Sequence, residues 1–281
     1  MTDTQPSIPA RFELPARTAS GVVMGVAAIA AVTNGGVFFS CFVIFGAVAA
    51  LGEWHRLVNG GHLAYEMIPT GFAVLAAVSV AHLWSAFDWS LAIIALGAAG
   101  AAVASGMRGL HVRWPIPWHA FGALYVALPA IALVFLRDAP HGAAIVGALF
   151  VAVWTADTSA LLFGRLIGGP KLAPVLSPNK TWAGFLAGII AAGIAETLYV
   201  GLLGGNVRGA LALGICLALA GHCGDLFESW VKRQFRAKNT GRLIPGHGGI
   251  LDRIDSVLFA APVCAGLIFL LGFNPISGTG P

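Results

Sequence analysis

Long apolar stretches follow one another along most of this 281-residue chain and leave only short polar segments between them. A helix needs about 20 mostly apolar residues to cross a bilayer. Hydrophobic residues make up 58% of the sequence and charged residues only 10%, whereas soluble domains carry about 25% charged residues. The sequence therefore predicts an all-α, polytopic helical membrane protein.

The hydropathy pattern predicts about nine transmembrane helices. The first two are hard to separate, because Asn34-Gly35-Gly36 leaves little room for a turn. The expected spans are residues 19–34, 36–52, 67–84, 89–106, 118–136, 142–160, 182–203, 209–224 and 255–272. Three regions follow: a leader (1–18), N-terminal transmembrane helices (19–140) and a C-terminal transmembrane catalytic region (141–281). The leader lacks an apolar core preceded by positive charge, so it is not predicted to be a cleaved signal peptide.

The distribution of positive charge gives the expected orientation, because cytoplasmic loops collect Lys and Arg. With the N-terminus in the cytoplasm, only Arg137 and Arg208 of the 16 cationic residues fall outside. The net charge of +4 is thus an orientation signal that also favours anionic lipid headgroups. It gives no support to a nucleic-acid partner.

A dense polar region lies between the last two apolar stretches. Residues 224–255 contain four carboxylates and six cations, although apolar runs flank them on both sides. Charge at membrane depth is costly and is usually functional, so this region is the predicted active site. Its carboxylates form two pairs with i, i+3 spacing: Asp225 with Glu228, and Asp252 with Asp255.

The spacing of the two acidic pairs predicts a metal site. The first pair shares a face with Lys232 if its helix continues past the apolar run, and the second pair begins the last helix. Mg²⁺ binds through one or two carboxylates together with substrate phosphates, and a second metal ion would clamp the attacking and leaving oxygens. The structural alternative is a set of salt bridges to the neighbouring cations Lys232, Arg233 and Arg253.

A glycine-rich segment, Pro245-Gly246-His247-Gly248-Gly249, separates the two acidic pairs. Glycines permit positive φ and close approach of backbone amides, a common way to cradle phosphate. The segment also opens the next helix, whose N-terminus favours an anion. We therefore expect Gly246, His247, Gly248 and Gly249 to contact a substrate phosphate.

A second polar region precedes the seventh span. All four lysines of the chain lie between Lys171 and Lys238, whereas arginines occur near most of the polar loops. Lysine ammonium suits phosphate oxygens, and the loop 171–181 adds Ser177 as a polar group. A polyphosphate ligand fits this pattern; the alternative is that Lys171 and Lys180 only anchor the loop on the cytoplasmic side.

Two further observations concern side chains inside the spans. Asp157 is an intramembrane carboxylate, which predicts a role in substrate or metal binding; the alternative is a structural bond to a facing Lys or Ser. The four cysteines lie in apolar runs without C-x-x-C spacing, so they indicate neither a zinc site nor a disulfide framework. His222 is expected to be a packing residue.

Two blocks of sequence together carry a family resemblance. The first runs from Asp157-Thr158 through Gly164-Arg165 and Lys171-Leu172-Ala173-Pro174 to Ser177-Pro178-Asn179-Lys180-Thr181-Trp182. The second comprises Gly224-Asp225-Leu226-x-Glu228-Ser229-x-x-Lys232-Arg233, Lys238-Asn239 and Pro245-Gly246-His247-Gly248-Gly249-x-x-Asp252-Arg253-x-Asp255-Ser256. They closely resemble the signature of the phosphatidate cytidylyltransferase, or CDP-diacylglycerol synthase, family. Earlier spans resemble that family mainly in hydropathy, with Glu53-Trp54 a small echo.

The resemblance implies that CTP reacts with phosphatidic acid to give CDP-diacylglycerol and pyrophosphate, with Mg²⁺ as cofactor. We also expect a bacterial inner-membrane protein, and the even number of spans before the active-site loop places that loop in the cytoplasm. The resemblance assigns the metal first to Asp225 and Asp252, supported by Glu228 and Asp255. The expected catalytic residues are Asp225, Asp252, Lys232, Arg233 and Asp255. The expected substrate-binding residues are Lys171, Ser177, Lys180, Ser229, Lys238, Gly246, His247, Gly248, Gly249, Arg253 and Asp157.

Several points stay open in the sequence. Asn239 stands where the family usually has an aspartate, so one acidic group of the pattern is missing. A second divalent or a monovalent cation, and a homodimer, are left undecided. The alternative functions are a related CTP-using membrane enzyme acting on another lipid phosphate, a polyprenol kinase, and a transporter. Transport predicts polar residues along several spans, whereas here they gather at one membrane face.

Overall fold

The fold is a bundle of long helices. The computed structural model describes residues 10–62, 64–107, 115–241, 243, 248–274 and 276. Within them the elements, in chain order, are α1 (Ala10–Asn34), α2 (Gly36–Val58), α3 (Met67–Trp84), α4 (Phe87–Gly106), α5 (Pro115–Asp138), α6 (Gly142–Leu166), β1 (Lys171–Ala173), β2 (Ser177–Thr181), α7 (Trp182–Leu202), α8 (Val207–Gln234) and α9 (Leu251–Ala265). A π-helical turn, Gly266–Leu270, extends α9.

The predicted polytopic helical architecture is confirmed. In the described part of the chain, α2 to α8 and the combined α9 and π-turn segment, eight in all, are long and apolar enough to cross a membrane. The first apolar helix is shorter, Ser20–Asn34, when only its described side chains are considered. The helix itself begins at Ala10, so part of the predicted leader is helical.

The polar helix ends differ most from the hydropathy prediction. The eighth span was expected to end at residue 224, but α8 continues to Gln234. It continues because its charged side chains occupy one face while Phe227, Trp230 and Val231 pack against the core on the other. The helix therefore carries its carboxylates beyond the apolar run, and α9 likewise begins at Leu251, before the predicted span.

A small β-hairpin is the one departure from an all-α chain among the described residues. The loop predicted at 171–181 folds into the antiparallel pair β1 and β2, with Lys171 opposite Thr181 and Ala173 opposite Ser177. A turn bond from Leu176 N to Ala173 O, 3.1 Å long, closes the hairpin. Thr181 then caps α7 by accepting the amide of Gly184 at 3.1 Å. The hairpin thus joins α6 and α7 at one end of the bundle.

An aromatic cluster with members from α2, α5 and α8 lies at that same end of the bundle. The fully buried Trp54 donates its indole N–H to the carbonyl of Trp118 at 2.9 Å. The Trp118 ring lies 5.6 Å from that of Trp230 on α8. A Cβ at Gly122 would overlap the Trp54 ring, so a glycine there permits this packing. The end of α2 is consequently held against α5, and Trp118 of α5 in turn contacts α8.

At the opposite end of the bundle, side-chain hydrogen bonds join α5 to the end of α1. Arg137, near the end of α5, donates Nε to the carbonyl of Val32 at 2.6 Å. The C-terminal end of α1 therefore lies beside the C-terminal end of α5, away from Trp118. The chain reverses between α1 and α2 at Gly35 and Gly36, which both have positive φ, 66° and 51°. Two glycines thus make the short turn that the sequence left in doubt.

Candidate active site

The end of α8 and the start of α9 bring the two acidic pairs together. Lys232 Nζ donates to Glu228 Oε2 at 2.5 Å and to Asp252 Oδ1 at 2.9 Å. One ammonium therefore joins a carboxylate from each pair. The helical continuation of α8 that the spacing required is confirmed. The salt-bridge interpretation also holds for these two carboxylates, so their contact with Lys232 does not by itself imply a metal.

A second ion pair connects α8 with the hairpin. Lys180 Nζ lies 2.5 Å from Asp225 Oδ2. The hairpin turn is also bonded to α8, since Arg233 Nε donates to the carbonyl of Leu176 at 3.4 Å. The two polar regions that the sequence separates by about 50 residues thus form one site.

The remaining carboxylates, Asp157 and Asp255, lack a cationic partner among the described residues. Asp255 lies in the electrostatic field of Asp225, Glu228 and Asp157, and neither Asp255 nor Asp157 forms an ion pair with a described Lys or Arg. Asp157 accepts from the Ser256 hydroxyl at 3.5 Å, which is at the limit of a hydrogen bond. A facing serine is therefore present, as the structural alternative for Asp157 required, but it holds the carboxylate only weakly.

A cavity of about 570 Å³ lies between α6, α7, α8 and the hairpin. Its polar wall includes Asp157, Lys180 and Asp225, which the sequence predicted as site residues. Apolar side chains make up the rest of the wall, among them Leu161 and Phe185. Five more polar residues line this space: Lys171, which was also predicted to bind substrate, together with Arg165, Asn179, Thr181 and His222. The cavity therefore combines cations with apolar surface.

The backbone before α9 is bonded to two carboxylates. Asp252 Oδ2 accepts the amides of Thr240 at 3.1 Å and Gly249 at 3.0 Å. Glu53 of α2 accepts the amides of Ile250 at 3.0 Å and Leu251 at 2.9 Å. Protein carboxylates therefore accept the amides of Gly249, Ile250 and Leu251 at the start of this helix, and contact of the glycine segment with a substrate phosphate stays a prediction.

Other predicted residues occupy more peripheral positions. Gly248 has φ +89°, as expected for a glycine-dependent loop, whereas Gly246 and His247 lie outside the described residues. Lys238 is exposed and makes no ion pair within the described part of the chain. Arg253 is also exposed. The hydroxyls of Ser177 and Ser229 form no hydrogen bond with any described group.

Two residues near the site were not predicted to belong to it. Glu53 is 5% exposed and lies almost 200 residues before the groups it bonds; its signal was a carboxylate within an apolar span. His222 was expected to be a packing residue, yet it lines the cavity and its buried Nε2 lacks a hydrogen-bond partner among the described groups. These two residues reach the site only through tertiary packing, of α2 next to α9 for Glu53 and of α7 against α8 for His222.

The donor set fits a hard divalent cation. Carboxylate oxygens are the ligands that Mg²⁺ prefers, and the buried Glu228 Oε1 has no hydrogen-bond partner in the described part of the chain. The described residues contain no group of three or more His, Cys, Asp or Glu side chains arranged to enclose a metal. A site of one or two carboxylates completed by substrate oxygens is compatible with both observations.

Comparisons with known proteins agree with this combination of fold and site. Residues 15–271 match the model of the cytidylyltransferase family. The chain is 37% identical over 265 residues, 92% of its length, to the phosphatidate cytidylyltransferase of Brucella abortus biovar 1 (strain 9-941), covering 93% of that protein. It is 34% identical over 252 residues, 88% of its length, to the enzyme of the same name from Staphylococcus haemolyticus (strain JCSC1435), covering 96% of that protein.

A third relative is the phosphatidate cytidylyltransferase of Rickettsia typhi (strain ATCC VR-144 / Wilmington), 32% identical over 224 residues. That alignment covers 76% of this chain and 96% of the relative. These matches, the helical membrane fold and the polar site define a membrane-embedded nucleotidyltransferase. The chain belongs to the cytidylyltransferase family, so the resemblance found in the sequence is confirmed.

Proposed function

We propose that this enzyme transfers the cytidylyl group of CTP to phosphatidic acid. A phosphate oxygen of phosphatidic acid attacks the α-phosphorus of CTP and forms a new P–O bond. The bond from that phosphorus to the oxygen bridging the α- and β-phosphates breaks, so pyrophosphate leaves and CDP-diacylglycerol remains in the bilayer. The names of the bacterial relatives support this assignment.

The observation that carries the proposal is the composition of the cavity beside α8. It combines cationic side chains, which suit phosphate oxygens, with apolar side chains, which suit the glycerol and acyl region of a lipid. Asp225 lies in the same wall. A ligand that is both anionic and apolar fits such a cavity better than a free nucleotide or a small soluble anion.

Catalysis of this kind depends mainly on position and charge. A phosphate monoester is already ionised near neutral pH, so no strong general base is needed. Lys180 and Lys171 bind and orient the lipid phosphate in the cavity. Lys232 and Arg233, with Lys238, bind the CTP triphosphate. Holding the two reactants in line with their charges neutralised provides most of the rate enhancement in phosphoryl transfer.

The carboxylates at the helix ends would hold Mg²⁺. Asp225 and Asp252 are the proposed ligands, with Glu228 and Asp255 in support. When bound, the ion neutralises charge on the nucleotide phosphates. Lys180 contacts one oxygen of Asp225. Lys232 contacts Oδ1 of Asp252, whose Oδ2 accepts two amides, so a metal ion would use the lone pairs that remain on each carboxylate. The site is proposed to face the cytoplasm, where CTP is found.

The test is direct synthesis by the purified protein in liposomes. Phosphatidic acid, labelled CTP and Mg²⁺ are expected to give labelled CDP-lipid and pyrophosphate, and chelation of the divalent ion to abolish both. Asp252→Ala is expected to lower the rate at least about 100-fold, because both a metal ligand and a loop contact are lost. Arg208→Ala, at the opposite end of the bundle, is the control and should keep the wild-type rate.

Two results would contradict the proposal. One is the absence of product from the wild-type protein with phosphatidic acid. The other is undiminished product from Asp252→Ala. A polyprenyl phosphate offered with CTP separates the nearest alternative, since a clear preference for it would identify another lipid as the acceptor.

A further inference from the structure

We propose that Glu53, a residue of the second helix, is a positioning residue that holds Thr240 and the first residues of α9, the two ends of the loop before α9, in the arrangement that catalysis needs. The inference rests on the proposed function for its kinetic consequence. Glu53 lies at the end of α2 that faces the site, 5% exposed, beside the fully buried Trp54. No Lys or Arg among the described residues forms an ion pair with it.

The contacts of Glu53 join both ends of that loop. At its end, Oε1 accepts Ile250 N at 3.0 Å and Oε2 accepts Leu251 N at 2.9 Å. At its start, the Thr240 hydroxyl donates to Oε2 at 3.3 Å. One carboxylate thus closes a loop of about ten residues, and it does so from a helix that lies far away in sequence.

Asp252 closes the same loop from the other side. Its Oδ2 accepts Thr240 N and Gly249 N, so both carboxylates bond the residues that begin and end the loop. Asp252 Oδ1 in turn accepts from Lys232. The position of a proposed metal ligand and of its lysine partner therefore depends on the loop that Glu53 holds.

Two glycines provide the space for this arrangement. A Cβ at Gly241 or at Gly249 would overlap the Glu53 carboxylate. Neither of these two glycines has the positive φ seen at Gly248. A glycine is needed at both positions because a side chain there would occupy the space of the Glu53 carboxylate. Glu53 also caps α9 from outside, because the N-cap residue Ile250 has an apolar side chain that makes no cap bond to the first amides of the helix. Free helix N–H groups otherwise need water or another partner.

A carboxylate is suited to this role because it only accepts hydrogen bonds. In Glu53→Gln one oxygen becomes an NH₂ group. That group would face the amide of either Ile250 or Leu251, and two N–H donors that face one another cannot form a hydrogen bond. The substitution keeps size and shape, so it tests the clamp with little change in packing. Glu196→Gln is the matched control, since Glu196 is fully buried elsewhere in the bundle.

The kinetic test uses the full-length enzyme in liposomes with phosphatidic acid, CTP and Mg²⁺. Glu53→Gln is expected to lower kcat at least about tenfold, because small displacements of reacting groups are costly, while KM for both substrates stays within about threefold. Glu196→Gln should keep the wild-type kcat. Gly241→Ala, which pushes against an intact Glu53, should lower kcat in the same way, while Gly46→Ala, a glycine of α2 in open space, should not.

Amide hydrogen exchange tests the clamp without reference to activity. In Glu53→Gln the amides of Ile250 and Leu251 should exchange at least about tenfold faster, while those of Arg208 and Gly209 at the start of α8 should not change. A kcat of Glu53→Gln within threefold of wild type, or unchanged exchange, overturns the proposal. If Glu53→Gln fails to fold, Gly241→Ala decides it by the same criteria. A wild-type enzyme that makes no CDP-lipid would refute the proposed function and leave the exchange experiment valid.

Discussion

At the scale of single residues, the site is organised by cations shared between carboxylates. Lys232 bonds Glu228 and Asp252, and Lys180 pairs with Asp225. The Glu228 side chain is 1% exposed, and removing the partner of a buried carboxylate costs about 3–5 kcal/mol, so Lys232 supports the structure in addition to its proposed role in substrate binding. The activity of a lysine variant should therefore be interpreted together with its measured thermal stability.

Asn239 carries a prediction at this scale. A Cβ at Gly248 would lie within 4 Å of both Asp252 Oδ2 and Asn239 Cγ, so these two side chains border the same space beside Gly248. We expect Asn239→Asp to keep or raise activity at limiting Mg²⁺, because a carboxylate adds negative charge beside the proposed metal. The measurement is the initial rate of CDP-lipid formation against Mg²⁺ concentration. A loss of activity would count against placing Asn239 beside the metal.

At the scale of elements, helix ends decide where the polar groups lie. Asn206 caps α8 by accepting the amides of Arg208 at 3.1 Å and Gly209 at 3.2 Å, far from the site. Thr181 caps α7 at the cavity, where its side chain also stands close to Gly164. The two caps do the same structural work at opposite ends of the bundle. Removing each cap in turn therefore distinguishes an effect on the stability of the protein from an effect on its activity.

The matched pair Asn206→Ala and Thr181→Ala tests this separation. Removal of either cap is expected to cost about 1 kcal/mol of stability, seen as a lower midpoint of thermal unfolding in detergent. Only Thr181→Ala should also raise KM for phosphatidic acid, because its cap fixes the start of α7 at the wall that Lys180 shares. Equal kinetic effects of the two substitutions would show that the cavity does not depend on the cap.

At the scale of the whole molecule, the polar groups collect at one end of the bundle. There the C-terminal ends of α2, α6 and α8 lie near the N-terminal ends of α7 and α9. The hairpin that connects α6 to α7 lies at the same end. Arg137 and Arg208, the two cations predicted to lie outside, are found at the opposite end. The arrangement suits an enzyme that draws a lipid from the bilayer and a nucleotide from the water on one side.

Cysteine labelling tests the orientation of that end. The exposed Val175 in the hairpin turn and Leu203 at the end of α7 are each replaced by cysteine in a protein whose four native cysteines are replaced by serine. In intact cells a membrane-impermeant maleimide should label Leu203→Cys but not Val175→Cys. After cell disruption both should react. Labelling of Val175→Cys in intact cells would place the site outside the cytoplasm.

The sequence by itself determined the membrane class, most helix positions and the family. Twenty-residue apolar runs report spans directly, because the bilayer thickness fixes their length, and a long polar signature identifies a family with little dependence on packing. The i, i+3 spacing likewise placed Asp225 and Glu228 on one face of α8, because helical geometry is local.

The tertiary structure alone decided which distant groups meet. The contact of Glu53 with Ile250 and Leu251 spans almost 200 residues, and no local pattern encodes it. It arises because Trp54 and its aromatic neighbours pack α2 against α5, next to the start of α9, and because buried amides at the start of α9 must find an acceptor. The sequence thus showed a carboxylate in an apolar span, and only the packed bundle showed what that carboxylate holds.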